Sequence, residues 1–269
     1  MTAYLGPAGG LVPFRCPSAV SITTERAQSF KTTLGGRVKV QRGPVTRRQW
    51  QVELGSATPQ ELANLQALVE AGTPPWVWVE PYAQVTNLFT PEQSTLAPGT
   101  WSGNGATEGG AVAVADAMAP RSIMHPSGGA ITLGLRFGSA DRPPVRPGVP
   151  LSVSAAVRGS GVLTAHWHNW QGSAIGSATK SFSYSEMGRA LLENINPPAA
   201  AQSVRVVVTG AQQVAMPCLT WTPDAPPWSM GRGCTRAVED GLSEAVQAAV
   251  RDAPSMRRSS LSFTVREVG

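Results

Sequence analysis

Apolar residues recur at every second position through much of this chain, and glycine and proline cut the alternating runs short. Val204, Val206 and Val208 alternate with Arg205, Val207 and Thr209. Leu151, Val153, Ala155 and Val157 alternate with Ser152, Ser154, Ala156 and Arg158. Leu261, Phe263 and Val265 alternate with Ser262, Thr264 and Arg266. Successive side chains of a strand point to opposite faces, so each run reads as a strand with one face toward a core. The 28 glycines and 23 prolines among 269 residues supply turns, and a hydrophobic content of 42% supplies the core. Charged residues are 14%, against about 25% in an ordinary domain. The chain is therefore expected to be mainly β, folded and rich in turns, long enough for one large domain or two ordinary ones.

The first segment predicts a β-hairpin. Arg37–Arg42 alternates, Gly43-Pro44 gives a turn signal, and Arg47–Leu54 alternates again with Trp50, Val52 and Leu54 on one face. One helix follows. Thr58-Pro59-Gln60-Glu61 has the form of a capping box with proline at the first helical position. Leu62, Leu65, Leu68 and Val69 then make a helical stripe that reads as core, and Gly72 is placed to end it. Trp76–Val79 reads as a strand. Beyond Asn87 come short apolar runs, with Ile131, Leu133, Leu135 and Phe137 on one strand face. A stiff loop spans Asp141–Pro150, and Val162–Trp170 reads as a strand turning at Gln171-Gly172. In the last segment Asp240–Ala249 fits a short helix or a strand, and Leu261–Arg266 a closing strand.

Composition also narrows function. No run offers the ~20 mostly apolar residues of a membrane span, and residues 1–14 have no basic region ahead of an apolar stretch. The expectation is a protein made in the cytoplasm, or one that leaves it by a route the sequence does not show. Cys16, Cys218 and Cys234 are too few and too scattered for a disulfide framework or a zinc site, and read as reduced, mostly buried thiols. The net charge of +5 is modest for a nucleic-acid binder. No nucleophile elbow, phosphate loop, paired-histidine zinc motif or dinucleotide fingerprint is present. The expectation is a protein without catalytic residues, cofactor or metal.

Three stretches, in order, resemble the distal and minor tail proteins of long-tailed bacteriophages, especially those of actinobacterial hosts. They are Leu34–Pro44 with Arg48-Gln49-Trp50, Trp76–Tyr82 running into Val85–Pro91, and Leu261–Gly269. The middle resembles a carbohydrate-binding-module jelly roll. Its carrying residues are Pro147-Gly148 leading into Leu151–Arg158, the Trp167 to Gly172 turn, and Pro197–Ala200 leading into Val204–Thr209. These resemblances imply a tail-type β domain from residues 1–86 with 223–269, and a jelly roll of residues 87–222 inserted in it. They imply a homo-oligomer, a hexameric ring or a trimer, at the tail tip of a virion made in the host cytoplasm. Its neighbours would be the tail tube, tape measure, tail hub and adsorption proteins. Host glycans are candidate ligands of the jelly roll, and neither a membrane nor a specific nucleic acid is an expected partner.

Two clusters are candidates for contact. In His166-Trp167-His168-Asn169-Trp170 a strand would put His166, His168 and Trp170 on one face. Two histidines fall short of the three or four ligands a metal needs. The face could be a platform for sugar, since aromatic rings stack on apolar sugar faces, or it could be a solvated face above a packed Trp167. The second cluster is the basic run Lys31, Arg37, Lys39, Arg42, Arg47 and Arg48, with no acid between Arg26 and Glu53. DNA contact, pairing with an acidic neighbouring subunit, and a solvated hairpin face are the alternatives. Tight phosphate binding would arrest DNA in transit, which favours the subunit over the DNA. Trp76 and Trp78 share a strand face and read as core or as subunit interface.

Overall fold

A computed structural model of the chain describes residues 2–15, 17–115, 117–135, 142–248 and 258–268. Its elements run β1 (Thr2–Gly6), β2 (Val12–Arg15), β3 (Ala19–Thr32), β4 (Val38–Ala57), α1 (Pro59–Ala71), β5 (Trp76–Val79), α2 (Pro81–Val85) and α3 (Pro91–Ser94). Then follow β6 (Trp101–Ser102), β7 (Thr107–Gly109), β8 (Val112–Val114), β9 (Ala117–Ala119), β10 (Ser122–Met124) and β11 (Ala130–Leu133). Three long strands come next, β12 (Leu151–His168), β13 (Ala174–Ile195) and β14 (Ser203–Thr220), and β15 (Cys234–Ala248) and β16 (Arg258–Glu267) close the chain. The protein is mainly β. It divides into a first unit of Met1–Ala3, Val12–Trp76 and Arg236–Gly269 and a second of Tyr4–Leu11 and Val77–Thr235. These boundaries differ from the sequence-based 86/87 and 222/223. Residues 4–6 pair with 77–79, and residues 222–226 hydrogen bond to β12 and β13, so both segments belong with the second unit.

In the first unit the strands run β15-β16-β4-β3, all antiparallel. Leu261, Phe263 and Val265 face Leu54, Val52 and Trp50 across the β16–β4 ladder, and all six are buried. Phe14 of β2 packs on Phe263, with ring centroids 5.5 Å apart. The capping box of α1 is present. The Thr58 hydroxyl accepts from the Glu61 amide at 3.2 Å and the Glu61 carboxylate accepts from the Thr58 amide at 2.9 Å. Leu62, Leu65 and Leu68 are buried, and Gly72 caps the end in an extended conformation. Asp240–Ala248 is strand, paired with β16.

The hairpin differs from the sequence expectation. Gly43-Pro44 is not its turn: β4 runs through it as one strand, and its partner is β3, joined by the turn at Thr33–Arg37. The register slips opposite this dipeptide, between Arg26 and Gln28, so Pro44 sits where ladder hydrogen bonds are interrupted and its missing N–H costs little. β16 reaches only to Gln49 of β4. Beyond it residues 24–32 and 38–48 form a two-stranded arm.

The second unit is a jelly-roll β-sandwich built on β12, which pairs with β13 along one side and β14 along the other. β14 continues to β10 and to β11. The two halves of β12 meet different halves of β14, and the bend lies at glycines. Gly159 and Gly210 have φ of +108° and +86°, and a Cβ on Gly161 would lie 1.9 Å from the Thr209 carbonyl oxygen. Leu151, Val153, Ala155, Val157, Leu163, Ala165 and Trp167 face the core with Val204, Val206 and Val208. Ser152 and Ser154 alternate with these as expected, yet they too are buried. The Ser152 hydroxyl donates to the Thr222 and Pro223 carbonyls, and Arg189 donates to Ser154. Strand β11 stops at Leu133, Leu135 lies past it, and Phe137 falls outside the described residues. Cys218 and Cys234 are buried, and burial pushes the Cys218 thiol up to about 12; Cys16 is outside the described residues.

Arg48 and Glu267 close the ladder between β4 and β16. The guanidinium donates through Nε at 2.9 Å and Nη2 at 3.1 Å to the two carboxylate oxygens, and both side chains are buried. Arg48→Ala takes the guanidinium from a buried carboxylate and should cost about 3–5 kcal/mol, read as a lower urea midpoint by circular dichroism. Thr58→Ala should cost about 1 kcal/mol in the same measurement.

Candidate functional site

Strand β12 ends at His168, on the outward face of the sandwich half whose inward side chains are Leu163, Ala165 and Trp167. Across the β12–β14 ladder His166 lies directly opposite Arg205, and His168 opposite Ser203. On the other side Ser177 of β13 faces His166. After His168 the chain turns through Asn169–Gly172, held by the Asn169 side chain, which accepts from the Gln171 and Ser173 amides. The carbonyl of Gly172 points back. It accepts from His168 Nδ1 at 2.9 Å and from Arg142 Nη1 at 3.2 Å. One carbonyl thus fixes a histidine and an arginine side by side, next to the His166–Arg205 pair.

A carbonyl only accepts, so His168 carries a proton on Nδ1 and presents a bare nitrogen at Nε2. His168 is 4% exposed, and its Nε2 is buried with no hydrogen-bond partner among the described residues. The Nε atoms of Arg142 and Arg205 are likewise buried without a partner. Among the described residues no carboxylate pairs with either arginine. Desolvation, followed by the Arg205 charge, lowers the His166 pKa. Desolvation also lowers that of His168; the Gly172 hydrogen bond opposes it, and Arg142, Arg205 and His166 add to the lowering. Arg142 is lowered by desolvation and then by Arg205. Arg205 thus acts on His166, His168 and Arg142, and Arg142 and His166 act on His168, which gathers the four groups into one basic cluster.

The structure separates the sequence candidates. His166 and His168 lie together. Trp170 is in the turn and not on the strand, 76% exposed. Arg142 and Arg205 were not among the sequence candidates. They come from 24 residues before and 39 residues after His166 in the chain, and only the strand pairing and the turn bring them there. Trp76 and Trp78 take the core alternative, at 4% and 0% exposure, and offer no side-chain surface to a neighbour. Arg48 is likewise removed from the interface set by its burial against Glu267. Arg37, Lys39 and Arg47 are exposed on the arm, and the side chain of Arg42 lies outside the described set. Among the described residues no three metal-ligating side chains converge, and no helix is long and apolar enough to cross a membrane.

No family model matches the chain, and no curated protein matches it in sequence. Among solved structures it is similar to the enzymatically active domain of tailspike protein 4 of bacteriophage CBA120. Identity is 16%, over 53% of this chain and 22% of that one, with a TM-score of 0.36. It is similar to an arabinose-bound α-L-arabinofuranosidase at 15% identity, over 51% and 26%, with a TM-score of 0.35. Carbohydrate-binding modules of the β-sandwich superfamily are similar at 14% identity, over 81% and 84%, with a TM-score of 0.31. The chain thus spans 22% and 26% of the first two of these structures, and scores of this size carry no weight for what it binds.

The histidines give a direct check. Both should titrate below the usual histidine value in an NMR pH titration, and Arg205→Gln should raise both, since it removes a like charge. A depressed folded-state pKa makes the unfolded chain the stronger proton binder. Stability contributed by this pair should therefore be full above about pH 6.5 and fall on acidification below it.

Proposed function

We propose that the chain is a structural protein of a phage virion, placed at the tail tip, where it links the tail tube to the host-adsorption apparatus by assembling into a ring of identical subunits. Its work is assembly and not turnover. One observation carries the reading, the two-stranded arm of β3 and β4. The arm exposes Phe30 (67%), Leu34 at its turn, Val38 (60%) and Val40 (47%). Phe30 pairs with Val40 and Thr32 with Val38, so the apolar side chains share one face. Lys31 lies directly opposite Lys39 on the other face, a like-charged pair that is unfavourable until an anionic surface meets it.

Charge favours a second copy as the partner. Residues 24–48 hold seven basic residues and only Glu25 as an acid, while the rest of the chain holds 15 basic and 16 acidic. An arm of one sign on a body slightly of the other suits head-to-tail contact, the kind of interface that closes into rings. The order of tail-protein-like segments along the sequence supports the same reading. Light scattering and electron microscopy of the full chain should give a closed ring, hexameric or trimeric. Phe30→Asp with Val40→Asp should weaken association about 100-fold without altering the circular dichroism spectrum, because both side chains are exposed in the single chain. A chain that stays monomeric at all concentrations, or a double variant that assembles like the wild type, overturns the reading.

A second reading is favoured by a different observation. The exposed Trp170 stands in the turn that anchors the cationic cluster, which suits a jelly roll that binds glycans on the host surface. The two readings are compatible, one for each unit. Retention of the full chain on host cell-wall glycans, lost on Trp170→Ala, tests it.

A further inference from the structure

We propose that Arg142, Arg205, His166 and His168 form a site for the oxyanion of an acidic sugar, a carboxylate or a phosphate, with Trp170 as the stacking surface for the sugar ring. This rests on the glycan-binding reading of the jelly roll and names the ligand class for it. The site is built rather than merely basic. The Gly172 carbonyl holds Arg142 and His168, the β12–β14 register sets Arg205 against His166, and Arg142, His168 and Arg205 each carry a buried nitrogen with no partner among the described residues. Partly buried cations gathered without a counter-charge destabilise a fold, and an anion among them removes that cost. Guanidinium groups match carboxylate and phosphate oxygens in geometry as well as charge.

His168 adds a proton to the reaction. With Nδ1–H given to Gly172, its Nε2 can meet an anion only after taking up a proton, which turns a lone pair into a donor. Anion and proton therefore bind together, and each raises the affinity for the other. The groups facing this proton are His166 on β12, Arg205 on β14 and Arg142 from the preceding loop. β13 contributes the neutral Ser177, and the turn contributes the neutral Asn169, Trp170 and Gln171. Among the described residues every charge nearby opposes a proton taken up without an anion, so His168 rests neutral beside the two guanidinium groups.

The test follows the ring signals of His166 and His168 by NMR in the full-length protein, titrated with inorganic phosphate, glucuronate, glucose 1-phosphate and glucose. The three anions should move both signals and raise both pKa values, and glucose should move neither. Glucuronate keeps its charge across the range, and its affinity should be about fivefold higher at pH 5.5 than at pH 7.5. Arg205→Gln, with circular dichroism showing an intact fold, should weaken every anion about tenfold. Trp170→Ala should cost the two acidic sugars about fivefold and leave inorganic phosphate unchanged. The site is overturned if no anion moves the histidine signals, or if Arg205→Gln leaves anion affinity as it was. Its assignment to sugars is overturned if Trp170→Ala leaves the acidic sugars unaffected. Binding of a neutral xylo-oligosaccharide with the histidine signals unmoved would keep the glycan reading and remove this site. Failure of every sugar, with host cell-wall glycans also unretained, would remove both.

Discussion

The first unit depends on β16 reaching β4. Its ladder carries three apolar pairs, Leu261–Leu54, Phe263–Val52 and Val265–Trp50, and is closed by the buried Arg48–Glu267 pair. The two strands lie on either side of Val77–Thr235, the larger segment of the second unit. The hydrophobic faces of β4 and α1 have no adequate cover without β16, since β3 adds an edge strand and β2 only four residues. The buried ion pair adds direction to the contact. A carboxylate held by two parallel N–H donors fixes the register in a way that apolar pairs alone do not, because a slip of one residue would leave both charges buried and unmatched.

Much of this was legible where local chemistry and global structure agree. The alternation of β16, of β14 at Val204–Val208 and of the first half of β12 reads directly as strand, and Thr58–Glu61 as a helix start. Gly43-Pro44 was misread because the dipeptide has two uses. In a tight loop it reverses the chain, and in a slipped register it tolerates the lost hydrogen bonds. Nothing within a few residues of it distinguishes them; the partner strand does. The helix α3 was missed although Thr90-Pro91-Glu92-Gln93 repeats the capping signature of α1, because no apolar stripe follows it in so short a helix. Ser152 and Ser154 alternate with the core residues of β12, and their burial depends on partners far along the chain, the Thr222 and Pro223 carbonyls for Ser152 and the Arg189 guanidinium for Ser154.

The candidate site was half legible. His166 and His168 stand out because histidine is scarce here, three in the whole chain. Arg205 carried a usable signal: it takes the outward position in an alternating strand, and antiparallel pairing of β12 with β14 would set such a residue against an outward residue of its neighbour. Arg142 carried none, since its place is set by a backbone carbonyl in a turn 30 residues away. Sites of this kind are assembled from elements whose register must be known first. The arm is the reverse case. Its charge was plain in the sequence, and the structure added the apolar face behind it.

The place of β16 in the chain has a consequence in time. It leaves the ribosome after every strand of the second unit and after its own partner β4. The jelly roll has all its strands while β4 still lacks one neighbour, and domains generally fold as units during synthesis, the earlier-made first. The first unit reverses that order, beginning first and finishing last. The last strand thus acts as a clock: a stable mount for the arm exists only once the cargo between its two halves is already complete, so prematurely stopped chains lack the finished platform from which to join an assembly.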